Sequence, residues 1–195
     1  GYGGLSVVAS GTAPRDFFAS GNSGRILLED AFAGLRFGTP GRGLYADVSA
    51  GAQPYRIGSG MLIADGGADG FERGAVVSGP RRAWAMTALA KVGYGPVSIE
   101  AFYLDPNELA SSDTRTRIAG GKAEWTLGPT EFVGIAFGEV LGSTAPYPQV
   151  APGGLGPPVI IPDARRGLQF VNAYLRFNPL GSLAPGFWVG GDIAF

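Results

Sequence analysis

Two alternations on different length scales constrain this chain more than anything else in it. Apolar and polar side chains alternate within segments of about ten residues, and the connections between segments alternate short and long. Period-2 patterning puts one face of each segment in an apolar medium and the other in a polar one. Strict alternation of turn length adds that successive segments run up and down between two unlike environments. The expectation is an all-β fold, specifically an antiparallel transmembrane β-barrel.

Reading the alternation against Gly, Pro and Asn/Asp punctuation predicts nine strands, near Leu5 to Ala9, Arg25 to Phe37, Leu44 to Gln53, Arg82 to Val92, Val97 to Leu104, Thr116 to Leu127, Glu131 to Val140, Leu168 to Phe177 and Phe187 to Phe195. The connections at residues 38–43, 93–96, 128–130 and 178–186 are compact. Those at 10–24, 54–81, 105–115 and 141–167 are long. With 34 Gly and 15 Pro in 195 residues, turns are frequent and long helices are disfavoured. No stretch approaches the roughly 20 continuous apolar residues a spanning helix needs, so any crossing of a membrane is by strands. The start, Gly1-Tyr2-Gly3-Gly4, has no initiating Met and no secretion signal, and reads as that of a mature protein or an internal fragment.

One face of each segment suits lipid: Ala31, Ala33, Leu35 and Phe37; Leu44, Ala46, Val48, Ala50 and Ala52; Trp84, Met86, Ala88, Ala90 and Val92; Val97, Ile99, Ala101 and Tyr103; Val171, Ala173, Leu175 and Phe177. Aromatics fall at its ends, with Phe37, Trp125, Phe177 and Phe187 toward the short turns and Trp84, Tyr103 and Phe137 toward the long loops, as in interfacial girdles. Glu29, Glu131 and Glu139 share this parity, and are tolerable near a rim or after a bulge. The opposite face carries the expected pore lining: Asp30, Arg36, Asp47, Lys91, Glu100, Lys122, Glu124 and Arg176. That many charges at mid-strand do not suit a dry core.

Bacterial single-chain barrels use even strand numbers, and nine would leave the last strand climbing toward the long loops. The chain is therefore expected to be a partial segment, about half, of a barrel with about 16 to 18 strands, the alternative being a complete small barrel. The segments at 25–36, 46–65 and 80–84 resemble the alginate export family of outer-membrane proteins, in which a strand passes through a Gly-Arg-Gln-type step into a long loop with a Gly-x-Gly element. Here the step is Gly51-Ala52-Gln53, with Ala52 where that family has Arg, and the loop holds Gly58-Ser59-Gly60. The hairpin from Leu168 to Phe195, with Asn178-Pro179-Leu180 at its turn, is also similar. The resemblance implies an 18-stranded porin-like barrel of the bacterial outer membrane with passive passage of a polysaccharide or another small polar solute; a monomer and a polar or anionic cargo are expected.

Two readings of the lumen cations stand side by side. Arg36, Lys91, Lys122 and Arg176, with Arg56, Arg81, Arg82, Arg165 and Arg166 at loop bases, can form an anion track, or they can be neutralised by the carboxylates on the same face. Likewise the 54–81 loop, with Arg56, Arg81 and Arg82, can fold inward as a constriction or stay outside. Asp65 to Gly70 reads as a polar turn rather than a calcium loop. No His and no Cys removes Ser-His, Cys-His and His-metal chemistry. A carboxylate pair such as Glu100 and Glu124 is the remaining catalytic option, so no enzyme, cofactor or metal is expected. Fifteen basic against sixteen acidic residues give no basic run for nucleic acid. The alternative from another class is a soluble all-β carbohydrate-binding module using Trp84, Trp125 or Trp188 as stacking surfaces. It requires the apolar faces to pack on one another.

Overall fold

Period-2 patterning and turn chemistry produce an up-and-down meander. The structure, a computed structural model, describes residues 1–11, 24–65, 84–108 and 113–195. Its strands are β1 (Tyr2–Gly11), β2 (Gly24–Phe37), β3 (Leu44–Ala52), β4 (Trp84–Tyr94), β5 (Val97–Pro106), β6 (Arg117–Thr126), β7 (Phe132–Gly142), β8 (Tyr147–Gln149), β9 (Val159–Ile161), β10 (Gln169–Phe177) and β11 (Val189–Ala194). Nine of them form one antiparallel sheet in the order β1-β2-β3-β4-β5-β6-β7-β10-β11, and β8 and β9 form a separate hairpin. The sheet is open, with β1 and β11 at its edges. The nine expected segments correspond to its nine strands, with ends displaced by a few residues. The β8–β9 hairpin, inside the connection read as one long loop, was not foreseen. Its strands are three residues each and bracketed by prolines, which carry little period-2 signal.

The sheet curls with its polar face concave. Tyr45 on β3 and Tyr174 on β10 lie on one row of pairs, through Gly93, Ser98, Glu124 and Gly134. Laid flat, five strand spacings across and the stretch from Tyr45 to Ala52 along β3 would put Ala52 about 33 Å from Tyr174. Yet Gly58, six residues after Ala52, sits against the Tyr174 side chain, and those residues reach at most about 21 Å. Only a wall curved around the 53–65 segment reconciles the two lengths.

The convex face is apolar and uncovered among the described residues. Val48, Val92, Ile99, Ile135, Val171 and Ile193 all stand exposed on it, with alanines between. Contiguous apolar area spread over nine strands far exceeds the few hundred Å² common on soluble monomers. Phe37, Tyr94, Trp125, Phe177 and Phe187 are exposed at its short-turn end. At the other end Glu139 accepts a hydrogen bond from Gln169 Nε2 at 3.2 Å, on the row that also holds Tyr103. Between these levels lie about six residues per strand, as from Val97 to Tyr103 or Ala119 to Trp125, or about 15 Å of height at a tilt of 35–45°.

Two bulges change the expected parity. Between the pairs Ser6–Asp30 and Val7–Leu28 the partner strand carries an extra residue, Glu29, which turns inward and is buried. A second irregularity between Trp84 and Met86 corrects the placement of Trp84. Met86 stays on the convex face, but Trp84 rotates to the concave side, 6% exposed, and belongs neither to the lipid-like set nor to a girdle. Glu131 is not in the wall either; it accepts the Asn178 N–H at 2.9 Å and ties two neighbouring short turns together.

Candidate functional site

Charged side chains on the concave face fall into register. Arg36, Asp47, Lys91, Glu100 and Lys122 occupy successive strands β2 to β6 on a single row, so charge alternates across the wall. Arg36 Nε meets Asp47 Oδ2 at 2.5 Å, and Lys122 Nζ meets Glu100 Oε1 at 3.3 Å. Opposite charges directly across strands contribute about 0.2–1 kcal/mol each. Lys91, between the two pairs, makes no ion pair among the described residues. One row nearer the short turns, Glu124 accepts the Tyr174 hydroxyl at 3.2 Å. Asp30 is bound by Ser6 Oγ at 2.6 Å, and Arg176 stacks over the Trp188 ring at 5.0 Å. All eight residues expected to line a pore are thus on one face. Five are brought into a single row, whereas Asp30, Glu124 and Arg176 lie off it.

Aromatic rings on this face lie across glycines of the neighbouring strand. The directly opposed pairs are Tyr2–Gly34, Phe32–Gly4, Tyr45–Gly93, Phe102–Gly120, Phe170–Gly138 and Tyr174–Gly134. In each, a β-carbon added to the glycine would fall within 2.3–2.6 Å of the ring. The missing side chain is the seat of the aromatic one, which keeps bulky rings flat against the wall. Tyr174 is 2% exposed and fixed by Glu124, by Phe132 at 5.9 Å and by Gly58, so it has nowhere to swing. We expect Gly134→Ala to cost about 1–3 kcal/mol by overpacking. Gly186→Ala, where an added carbon meets nothing within 4 Å, should stay within about 0.5 kcal/mol. Denaturant titration followed by tryptophan fluorescence measures both.

The first part of the long β3–β4 connection lies in the hollow of the wall. Gly51 has φ +124°, and a β-carbon there would strike the Ala31 carbonyl at 2.2 Å, so this step out of β3 requires glycine. Gln53 Nε2 then donates to Thr87 Oγ1 at 2.7 Å and Ser49 Oγ at 3.0 Å, which aims the chain inward. The extended run that follows buries Gln53, Tyr55 and Ile57 and exposes Pro54 and Arg56. Tyr55 packs on Phe102 at 5.4 Å and over Lys122 Nζ at 5.0 Å, and its carbonyl receives Trp84 Nε1–H at 2.9 Å. Burial first, and the Glu100 carboxylate second, push the Tyr55 phenol far above its ordinary range, so it stays protonated. The tip turns back through Gly60 N–H to Ile57 O at 2.9 Å and Ile57 N–H to Ile63 O at 3.1 Å. There Ser59 donates to Asp192 on β11 from both its N–H and its hydroxyl.

Sequence reasoning named Arg56 but not the residues that seat this segment: Tyr55, Ile57, Ile63 and Trp84. The alternation from Gln53 to Ile57 was the available signal. Arg81, Arg82 and the Asp65 to Gly70 turn beyond Asp65 lie outside the described residues, as does the family-like stretch from Pro80 to Ala83. Beside the loop tip is a cavity of about 480 Å³ in which Arg56, Lys122 and Arg176 face Glu124 and Trp188. This is a wet, cation-rich recess suited to holding a polar solute by hydrogen bonds and ring stacking. Trp84 is buried and Trp125 stands on the convex face, so of the three tryptophans Trp188 lines this recess, together with Phe132. No group of metal-binding side chains occurs among the described residues.

Neither a family model, nor a curated protein, nor a solved structure matches the chain. What the site can do therefore follows from its own geometry.

Proposed function

We propose that this chain forms part of the wall of a porin-like β-barrel in a bacterial outer membrane, passing a polar or anionic saccharide or small solute. The observation that carries the reading is the inversion of polarity across a single curved sheet. Its convex side is apolar across all nine strands, and its concave side holds a charge row and a seated loop. Lipid on one side and water on the other satisfy both faces at once. The 53–65 segment then narrows the passage, with Arg56, Lys122 and Arg176 beside it. Kinship with alginate exporters belongs to the same proposal and rests on the segments at 25–36, 46–65 and 80–84 and on the hairpin from Leu168 to Phe195, with Ala52 departing from the family's Arg at the loop step.

Nine antiparallel strands leave β1 and β11 pointing the same way, so joining them directly would make a parallel seam. An odd number of further strands closes the wall with every pair antiparallel, as a barrel of about 16 to 18 strands requires of its remainder when the total is even. The test is planar-bilayer recording on the complete gene product purified in detergent. Stepwise conductance is the expected result. A water-soluble, non-conducting protein that binds saccharide overturns the reading in favour of the carbohydrate-binding module.

A further inference from the structure

A second recess lies on the other side of the wall, at the long-loop rim of the apolar band. It has a volume of about 560 Å³, and Arg115, Arg117, Arg166, Tyr103, Leu141 and Asp163 are among the residues lining it. Arg117 shares the convex parity of Ala119, the partner of Tyr103, so the recess begins where the apolar band stops. None of the three guanidinium groups makes an ion pair within 4 Å among the described residues. The lining itself sets three arginines against Asp163, while Asp105, Asp113 and Glu108 stand behind it, Glu108 held by the Thr114 N–H and hydroxyl at 2.9 and 2.8 Å.

The recess is built rather than incidental. Arg115 and Asp163 are the non-glycine residues with left-handed φ among those described, at 51° and 55°, and both line it. Such backbone persists where the surroundings hold it, and it concentrates at binding sites. Here Asp113 Oδ1 accepts the Arg115 N–H at 2.7 Å, and the Asp163 carbonyl accepts the Arg166 N–H at 3.1 Å. Thr144 donates from N–H and hydroxyl to the Thr114 carbonyl at 2.7 and 2.8 Å, while Thr116 and Ser143 hydroxyls meet at 2.9 Å. These bonds clamp the start of β6 to the residues just after β7, and Gly167 N–H to the Val140 carbonyl at 2.8 Å ties the Arg166 turn to the end of β7 as well.

We propose that this recess binds the phosphate-bearing headgroup of an anionic membrane lipid. Guanidinium forks take phosphate oxygens in paired hydrogen bonds, and Tyr103 and Leu141 meet the start of the acyl chains. The inference rests on the membrane reading above but not on the presence of a pore. The test places the complete protein in nanodiscs of phosphatidylcholine with or without lipid A, followed by native mass spectrometry of retained lipid. A preference for lipid A of about tenfold is expected, falling to about twofold or less in the triple variant R115Q/R117Q/R166Q. Arg166→Gln alone, if the triple variant does not fold, should lower the preference to about sixfold, one arginine's share of the loss. Inorganic phosphate at millimolar concentration should not displace the lipid. Equal retention of both lipids, a preference surviving the arginine changes, or displacement by free phosphate overturns the proposal. Conductance recorded on the same preparation separates the two ideas: silence with the lipid preference intact sinks the pore alone. A protein that enters no bilayer sinks both.

Discussion

Ile99→Arg should destabilise the protein in a bilayer by about 2–4 kcal/mol, the cost of placing a guanidinium near the hydrocarbon midplane on a lipid-facing strand. Ile99 is 65% exposed on the convex face of β5, opposite Ala123 of β6 and Val92 of β4, and no described residue covers it. The same substitution on a soluble sheet surface would stay within about 0.5 kcal/mol, since a well-exposed position loses little packing. The two readings of the apolar face thus differ by several-fold in one measurement. Ser98→Thr, next along the strand but pointing into the concavity, serves as the comparison on the opposite face. Unfolding of vesicle-reconstituted protein in urea, read by tryptophan fluorescence, gives the difference directly. A loss below about 0.5 kcal/mol for Ile99→Arg would remove the lipid from the argument.

Strand number and direction were legible because they depend on local pattern alone. Period 2 marks each strand, and turn length marks each reversal. What needed the structure depends on how neighbouring strands are slid against one another. Gly134 is visibly a glycine in a strand, but only the register makes it the seat of Tyr174, forty residues on. The charge row is of the same kind: Arg36, Asp47, Lys91, Glu100 and Lys122 share a face by parity, yet their alternation is a property of pairing. Trp84 fails for a related reason. One extra residue between it and Met86 reverses its face, and nothing in the local sequence announces a bulge. Glu29 shows the same effect with the opposite benefit, since its bulge removes a carboxylate from the apolar side.

On the pore reading proposed above, unseating the 53–65 segment should enlarge the passage. Ile57 is completely buried and Tyr55, Ile63 and Trp84 are nearly so. Each such side chain contributes about 1.5–3 kcal/mol relative to exposure, so the segment is held against the wall by far more than thermal energy. It is a fixed filling of the hollow rather than a flap. Ile57→Asp puts an unpaired carboxylate at the centre of that contact, close to Tyr174 and the Asp192 carboxylate that holds Ser59. Released from the hollow, the segment no longer fills the space between Phe102 and Tyr174, and single-channel conductance should rise by at least about twofold. Ile57→Val keeps the seat apolar and should leave the conductance at its original level, at a stability cost of about 0.5–1.5 kcal/mol. The pair of variants separates narrowing from folding. A collapsed barrel conducts nothing, whereas an unseated loop in an intact barrel conducts more. Unchanged conductance in a folded Ile57→Asp protein would show that the passage is limited elsewhere along the wall.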